Sequence, residues 1–161
     1  MNFDTWNKAI EQLGKEFITI DWGYPVSGLI VRPPPLKVAL QQFIKSAGIR
    51  VDSPLYSFYR HADGLAFPDV WNGYFIHEIA RVAEQFTAER LDLVFGSDGG
   101  GAAFSYRRHD GNILHQVSLM PPRIVASDFD EFLRLLRDDV HHYIAGTPGW
   151  KFLDGRAAAS K

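Results

Sequence analysis

The spacing of apolar residues changes after Glu89-Arg90, and this change constrains the fold more than any other feature of the sequence. Before this point apolar residues recur every three or four positions, the period of a helix with one buried face. After it they alternate, the period of strands whose successive side chains lie on opposite faces of a sheet. A helical pattern returns beyond Pro121-Pro122. Helices, then strands, then a final helix predict an α+β fold.

Helix boundaries are marked by capping and breaking residues. Asp4 is expected to cap the first helix, and Gly14 with Ile18-Thr19-Ile20 to end it. Pro33-Pro34-Pro35 precedes the second helical face, and a helix start explains it better than a polyproline ligand does. Gly48 is expected to stop that helix.

Three further segments carry the helical period. Pro54 stands at the first position of a third helix, which exits at Gly64. A fourth helical face covers residues 79–86. The last helix is expected to pack Phe129 and Phe132 against the core.

The alternating part of the chain predicts an antiparallel meander of at least three strands. The alternating segments are 91–95, 102–106 and 113–119. His109-Asp110-Gly111-Asn112 between the last two is typical of a tight hairpin turn. Residues 74–76 are expected to form a short strand, and Pro121-Pro122 to end the meander.

Length and composition exclude several classes of protein. A chain of 161 residues fits a single domain, here residues 1–150, with 151–161 as a C-terminal tail. The formal charge of −2 gives no overall basic field for direct nucleic-acid binding. The absence of cysteine excludes disulfides and thiolate chemistry and suits a reducing compartment. Since no apolar run approaches about 18 residues, no membrane segment is expected, and we expect a soluble, cytoplasmic protein.

The run Gly96-Ser97-Asp98-Gly99-Gly100-Gly101 invites comparison with phosphate-binding loops. It lacks the Lys-Ser/Thr pair of a P-loop and the glycine spacing of the dinucleotide fingerprint. It also leads into a strand, whereas both motifs use a helix N-terminus to hold the anion. We interpret the run as backbone that needs positive φ or close approach to a neighbour, with a small-ligand or nucleotide loop as the alternative.

Residues that could catalyse a reaction or bind a metal form no recognisable pattern. The six histidines contain no His-x-x-x-His pair, and there is no Gly-x-Ser-x-Gly. His115 is expected to be a half-buried, hydrogen-bonded residue, and Asp138-Asp139 to be solvated. We therefore expect no catalytic residue, no metal and no cofactor, and a protein that is not an enzyme.

Aromatic residues exceed what a minimal core requires, since the chain has 12 Phe, 6 Tyr and 4 Trp. Those left unassigned are concentrated in the loop after Gly64, which either packs onto the core or presents its aromatics to a partner. Binding hot spots favour Trp, Tyr and Arg, and surface acids would steer a basic partner. The predicted partner-binding residues are Phe67, Asp69, Trp71, Tyr74, Glu78, Arg107 and Arg108.

Three blocks in the same order resemble the SUKH superfamily, which includes fungal cell-wall assembly regulators and bacterial immunity proteins. They are residues 48–64, residues 93–101 with Phe104, and residues 127–133. The resemblance covers about residues 33–140, whereas the N-terminal helix and extension of residues 1–32 lie outside it. Ser53-Pro54 stands where the family usually has Leu-Pro.

The resemblance implies an α+β domain with a mostly antiparallel sheet and no catalytic residues. It also implies a protein partner, so the expected function is that of an immunity protein that neutralises a toxin domain, with nucleases as a common class. An intracellular regulatory or scaffold protein is the alternative. Gly101 is expected to let a strand pass close by. The motif residues expected to be structural are Gly48, Pro54, Gly64, Gly96, Asp98, Gly99, Gly101, Phe129 and Phe132.

Overall fold

The computed structural model describes residues 1–87 and 89–155, and in these ranges it has five α-helices and seven strands. The helices are α1 Phe3–Thr19, α2 Lys37–Ala47, α3 Pro54–Tyr59, α4 Ile79–Gln85 and α5 Phe129–Ala145, followed by a 3-10 turn at Leu153–Gly155. The strands are β1 Ile30–Val31, β2 Leu65–Phe67, β3 Tyr74–Ile76, β4 Asp92–Ser97, β5 Ala103–Arg107, β6 Ile113–Gln116 and β7 Arg123–Ala126. The fold is α+β, as the sequence predicts.

The seven strands form one antiparallel sheet whose spatial order is the order of the chain. The predicted meander and the short strand at residues 74–76 are confirmed. Pro121-Pro122 does not end the sheet, because β7 follows directly and pairs with β6. This prediction was wrong because proline interrupts a strand's ladder without preventing another strand from starting beyond it.

One hydrophobic core joins the five helices to one face of the sheet. Residues paired across an antiparallel register share a face. Ile30 pairs with Ala66, Ala66 with Phe75, and Phe75 with Ser97, and none of these four belongs to the core. They lie on the opposite face of the sheet.

The first helix begins before the predicted cap, and it ends within the predicted run Ile18-Thr19-Ile20 but not at Gly14. Asn2 caps α1, with the Thr5 N–H donating to Asn2 Oδ1 at 3.2 Å, so Asp4 lies within the first turn. The helix continues through Gly14 to Thr19. Gly14 is required for packing: a Cβ there would lie 3.0 Å from Leu29 Cβ, so glycine allows the following segment to pass close to the helix.

Two predicted bounds of the middle helices are confirmed and one is wrong, because α3 ends at Tyr59, five residues before the predicted exit at Gly64. Gly48 ends α2 in the left-handed conformation, and Pro54 begins α3 next to the Ser53 cap. A Cβ at Gly64, which lies just before β2, would lie 2.5 Å from the Ile76 carbonyl oxygen, which explains the glycine there.

The last helix begins with a reciprocal cap. Asp128 accepts the Glu131 N–H at 2.7 Å, and Glu131 accepts the Ser127 N–H at 2.6 Å. This satisfies backbone donors that a helix start would otherwise leave free. Phe129 and Phe132 are buried in the core, as predicted.

Candidate functional site

The structure separates the predicted partner-binding aromatics. Phe67 and Tyr74 pair across β2 and β3 on the core face and are 0% and 2% exposed. Neither side chain is accessible to a partner at the surface. The prediction that Phe67 and Tyr74 bind a partner is therefore wrong. Trp71, between them in the chain, is 47% exposed. Asp69 accepts a hydrogen bond from the Ser27 N–H.

The other three predicted residues contact different elements. Glu78 precedes α4, with Oε2 4.0 Å from Arg32 Nε. Arg107 is held by Asp110 of its own hairpin, with Nη2 2.6 Å from Oδ2. Arg108 donates to the carbonyl oxygens of Ala47 and Arg90. Both arginines are engaged within the protein, and none of the three residues contacts Trp71.

Trp71 is held against the C-terminal segment. Its ring stacks on Phe152, with centroids 4.1 Å apart and planes 5° from parallel. Its Nε1–H donates to both oxygens of Asp154 at 3.1 and 3.2 Å, and Asn72 Nδ2 donates to Asp154 at 2.6 Å. Trp71 also has φ +52°, a conformation that is unfavourable for a bulky residue. The surrounding contacts therefore fix an exposed indole in a strained backbone.

Further rings continue from Phe152. Tyr143 lies 6.3 Å from Phe152 and 5.3 Å from Trp22, centroid to centroid. Burial, a hydrogen bond with Tyr24 and the nearby charge of Asp69 raise the pKa of Tyr143. Tyr24 is 57% exposed. We call Trp22, Tyr24, Trp71, Tyr143 and Phe152 the aromatic strip.

Four members of the aromatic strip were missed from the sequence. Trp22 and Tyr24 lie in the irregular segment after α1, and Phe152 lies beyond α5. The signal of these three was the same as that of Trp71, namely large aromatics in segments without a helical or strand period. Tyr143, the fourth, lies within α5 and had no such signal. Only the fold brings these three distant segments together.

Negative charge accompanies the aromatic strip. Asp154 holds Trp71, Asp69 lies close enough to influence Tyr143, and Asp21 accepts the Gly23 N–H at 2.9 Å beside Trp22. Within residues 1–87 and 89–155, none of these three carboxylates takes part in a salt bridge. The strip is therefore an aromatic surface with three carboxylates beside it, and with the Arg123 guanidinium donating to the Asp154 carbonyl oxygen at the same segment.

A buried carboxylate supports this surface from below. Asp139 is fully buried, which corrects the prediction that it is solvated. It accepts hydrogen bonds from the Tyr74 hydroxyl, from Trp150 Nε1 at 2.9 Å and from the Leu153 N–H at 2.7 Å. Because buried polar groups must be paired, these bonds fix the C-terminal segment against β3. Tyr74 thus supports the site from the core.

The backbone N–H groups of the glycine-rich loop between β4 and β5 are hydrogen-bonded within the protein. Asp98 Oδ1 accepts the N–H groups of Gly100 and Ala102 at 2.9 and 3.0 Å. The N–H of Gly99 donates to the Asn72 carbonyl at 2.6 Å, and that of Gly101 to the Asp98 carbonyl at 3.3 Å. With these amides engaged, the loop has no set of free donors of the kind a phosphate cradle requires.

The glycines of this loop have separate roles. A Cβ at Gly96 would lie 2.4 Å from the Phe75 oxygen, and one at Gly99 would lie 2.4 Å from the Asn72 oxygen, so both allow close approach. Gly101 differs from the prediction: no atom lies within 4 Å of its Cβ position, and its φ of +88° is what requires glycine. His115, predicted to be half-buried, is buried, with Nε2 3.4 Å from Asp98 Oδ2.

Two imidazole–hydroxyl pairs have the spacing of a nucleophile and a base: His142 Nδ1 lies 2.9 Å from Thr147 Oγ1 beyond α5, and His77 Nε2 lies 3.1 Å from Ser97 Oγ. Burial, with the charges of Arg81 and Arg32, lowers the pKa of His77 to about 4. A histidine with this pKa is a weak base at neutral pH. Its Nδ1 has no hydrogen-bond partner among the described residues, so no carboxylate orients the ring as in a catalytic triad.

Metal ligands are not clustered in the part of the chain that the structure describes, where no group of three or more His, Asp or Glu side chains could hold an ion. In the same residues, no helix has the length and apolar character needed to cross a bilayer. Comparison with known proteins assigns no family: no protein-family model matches the chain, and no curated protein matches it significantly.

Proposed function

We propose that this chain is a non-enzymatic protein-binding module of the SUKH type. In this proposal it is a cytoplasmic bacterial immunity protein that binds and neutralises a cognate toxin domain. The observation that carries the proposal is Trp71, an exposed indole held in a strained backbone conformation by Phe152 and Asp154. Strain of this kind persists only where surrounding contacts impose it, and it is concentrated at functional sites.

The aromatic strip has the composition of a binding hot spot. Tryptophan and tyrosine dominate binding energy because they bury a large area with few rotatable bonds. Trp71 is already fixed by stacking and hydrogen bonds, so little side-chain entropy would be lost when a partner covers it. Tyr24 adds a second exposed ring.

The charge of the strip favours a basic partner. The carboxylates of Asp21, Asp69 and Asp154 would complement a positively charged surface and accelerate encounter with it. A toxin that cleaves nucleic acid needs a basic cleft for its substrate. We therefore favour a nuclease toxin whose cleft is occluded by the aromatic strip.

Co-expression with the toxin-like reading frame beside its gene tests the proposal. The wild-type chain should restore growth and co-purify with the toxin. Trp71→Ala and Tyr24→Ala should each weaken the complex by about thirtyfold, the scale of a hot-spot truncation. Leu119→Ala is the matched control, because Leu119 is 98% exposed but lies between β6 and β7, outside the strip.

Failure to restore growth, or failure to co-purify, would contradict the immunity function. Full affinity in both strip variants would contradict the assignment of the surface. Thermal unfolding of each purified variant separates loss of binding from loss of folding.

A further inference from the structure

A second site lies on the sheet face opposite the helices, where β1, β2 and β3 meet the start of α4. It is a cavity of about 340 Å³, within the size range of small-ligand pockets. Ile30, Ala66 and Phe75 contribute apolar surface to it, and Ile30 is exposed. The cavity shares no residue with the aromatic strip, and the inference below does not depend on the proposed function.

The polar lining of the cavity carries a net positive charge. Arg32, Arg81 and Glu78 all line it, two positive charges against one negative. Arg32 Nε and Glu78 Oε2 are 4.0 Å apart, a long and partly exposed pair. Arg81 has no carboxylate within 4.0 Å among the described residues. One positive charge is therefore left uncompensated.

His77 provides a hydrogen-bonding group beside these charges. It lines the cavity and is only 6% exposed. In the tautomer in which the Ser97 hydroxyl donates to Nε2, the single imidazole proton of the neutral ring lies on Nδ1. That Nδ1 is buried without a partner in the described residues. A buried donor without an acceptor costs stability. Because Nδ1 has essentially no accessible surface, the ring would turn towards the cavity for a bound anion to supply that acceptor.

We propose that this cavity binds a carboxylate carried on a hydrophobic body. Arginine recognises carboxylates with paired, charge-assisted hydrogen bonds, and His77 Nδ1–H supplies one further donor. Because the lining of the cavity has a net charge of +1, it favours a singly charged carboxylate over a doubly charged phosphate. The apolar walls formed by Ile30, Ala66 and Phe75 fit the hydrophobic body. Such a group could come from a free organic acid or from the C-terminus of a peptide that ends in an apolar residue.

Isothermal titration with two pairs of probes tests the site and distinguishes these sources. The probes are 3-phenylpropanoate against 3-phenylpropanamide, and a short peptide ending in a free Phe carboxylate against its C-terminal amide. Each carboxylate should bind at least about tenfold more tightly than its amide. Tighter binding of the peptide would indicate a chain terminus, and tighter binding of the small acid a free ligand.

Substitutions of the two arginines and the NMR titration of His77 test whether the carboxylate binds in this cavity. Arg81→Gln and Arg32→Gln should each weaken the carboxylate by about tenfold, whereas Lys45→Gln, an exposed cation on α2, should not change it. In imidazole NMR titrations, bound carboxylate should raise the pKa of His77, because the anion offsets the two arginine charges.

Two results would overturn the proposal. One is equal binding of carboxylates and amides, or no saturable binding of either carboxylate. The other is equal weakening by Lys45→Gln and Arg81→Gln. If an arginine variant does not fold, the comparison of carboxylate with amide on the wild-type chain still decides.

Discussion

At the scale of single residues, the exchange of one carboxylate oxygen of Asp139 for an amide nitrogen is expected to lower the stability of the fold. Its fully buried carboxylate accepts hydrogen bonds from Tyr74, Trp150 and Leu153. Asp139→Asn keeps the shape but replaces an acceptor oxygen by a donor NH₂, which leaves at least one buried N–H or O–H unpaired. We expect a loss of about 2–3 kcal/mol in the free energy of unfolding, measured by urea denaturation.

Asp138 provides the matched control. It is the adjacent aspartate but lies at the surface, where it pairs with Arg134 at 3.3 Å and Arg137 at 3.2 Å. Surface ion pairs of this kind contribute little, so Asp138→Asn should change the free energy of unfolding by less than about 1 kcal/mol. Equal effects of the two substitutions would contradict the role given to Asp139.

His77 predicts a pH dependence of stability. Its pKa is about 4 in the folded protein against 6.5 for an ordinary histidine, so the unfolded chain binds more protons between these values. The stability contributed by neutral His77 is therefore complete above about pH 6.5 and is lost as the pH falls towards 4. His77→Gln should remove this component, at most about 1.4 kcal/mol per pH unit, from the slope of unfolding free energy against pH. An unchanged slope in the variant would show that His77 titrates normally.

Residue patterns predicted only some of the caps and breaks, and they predicted the buried polar groups poorly. Asp4 does not cap α1, Gly14 does not end it, and Pro121-Pro122 does not end the sheet. Gly48, Pro54 and the phenylalanines of α5 act through local geometry, which a short stretch of sequence contains. Asp139 and Tyr74 are hydrogen-bonded to each other although they are 65 positions apart in the sequence. Because burial depends on the packing of the whole chain, the periodicity around each residue did not reveal their contact.

At the scale of elements, the β4–β5 loop is predicted to set the position of the β2–β3 loop. The Gly99 N–H holds the Asn72 carbonyl, and Asn72 adjoins Trp71. Gly99→Ala would place Cβ 2.4 Å from that oxygen, so the two loops must separate. We expect a loss of about 1–3 kcal/mol in unfolding free energy, measured by urea denaturation.

Gly100→Ala is the comparison within the same loop. Its Cβ would meet only Asp98 Oδ1, at 3.4 Å, an ordinary contact. It should therefore alter stability by less than about 0.5 kcal/mol. If Gly100→Ala is as harmful as Gly99→Ala, the close approach of the two loops does not explain the glycine.

The elements that the sequence predicted have a clear period, and those that it missed are short or interrupted. Strands β4 to β6 have alternating apolar residues and a hairpin turn. Strand β1 has two residues and β7 follows two prolines, so neither shows enough alternation to be identified. The run Ile18-Thr19-Ile20 ends α1 as predicted, but Gly14 was wrongly given the same role, because its close approach to Leu29, and not a helix end, explains the glycine.

At the scale of the whole molecule, the sheet and the helices bring three irregular segments together. Together with Tyr143 of α5, residues 21–24, 69–72 and 150–155 form the aromatic strip and its acidic surroundings. The sequence indicated an aromatic surplus but located it only between Phe67 and Tyr74, because only the fold shows that the other two segments adjoin Trp71. Trp71 and Asp69 are the parts of the predicted surface that remain in this site.

The most direct test of the proposed binding surface is hydrogen–deuterium exchange of the chain alone and in complex with its co-purified toxin domain. The account predicts slower amide exchange on binding in residues 21–24, 69–72 and 150–155, with residues 117–120 at the other turn unchanged. Protection of residues 117–120 with no change in the three strip segments would contradict it.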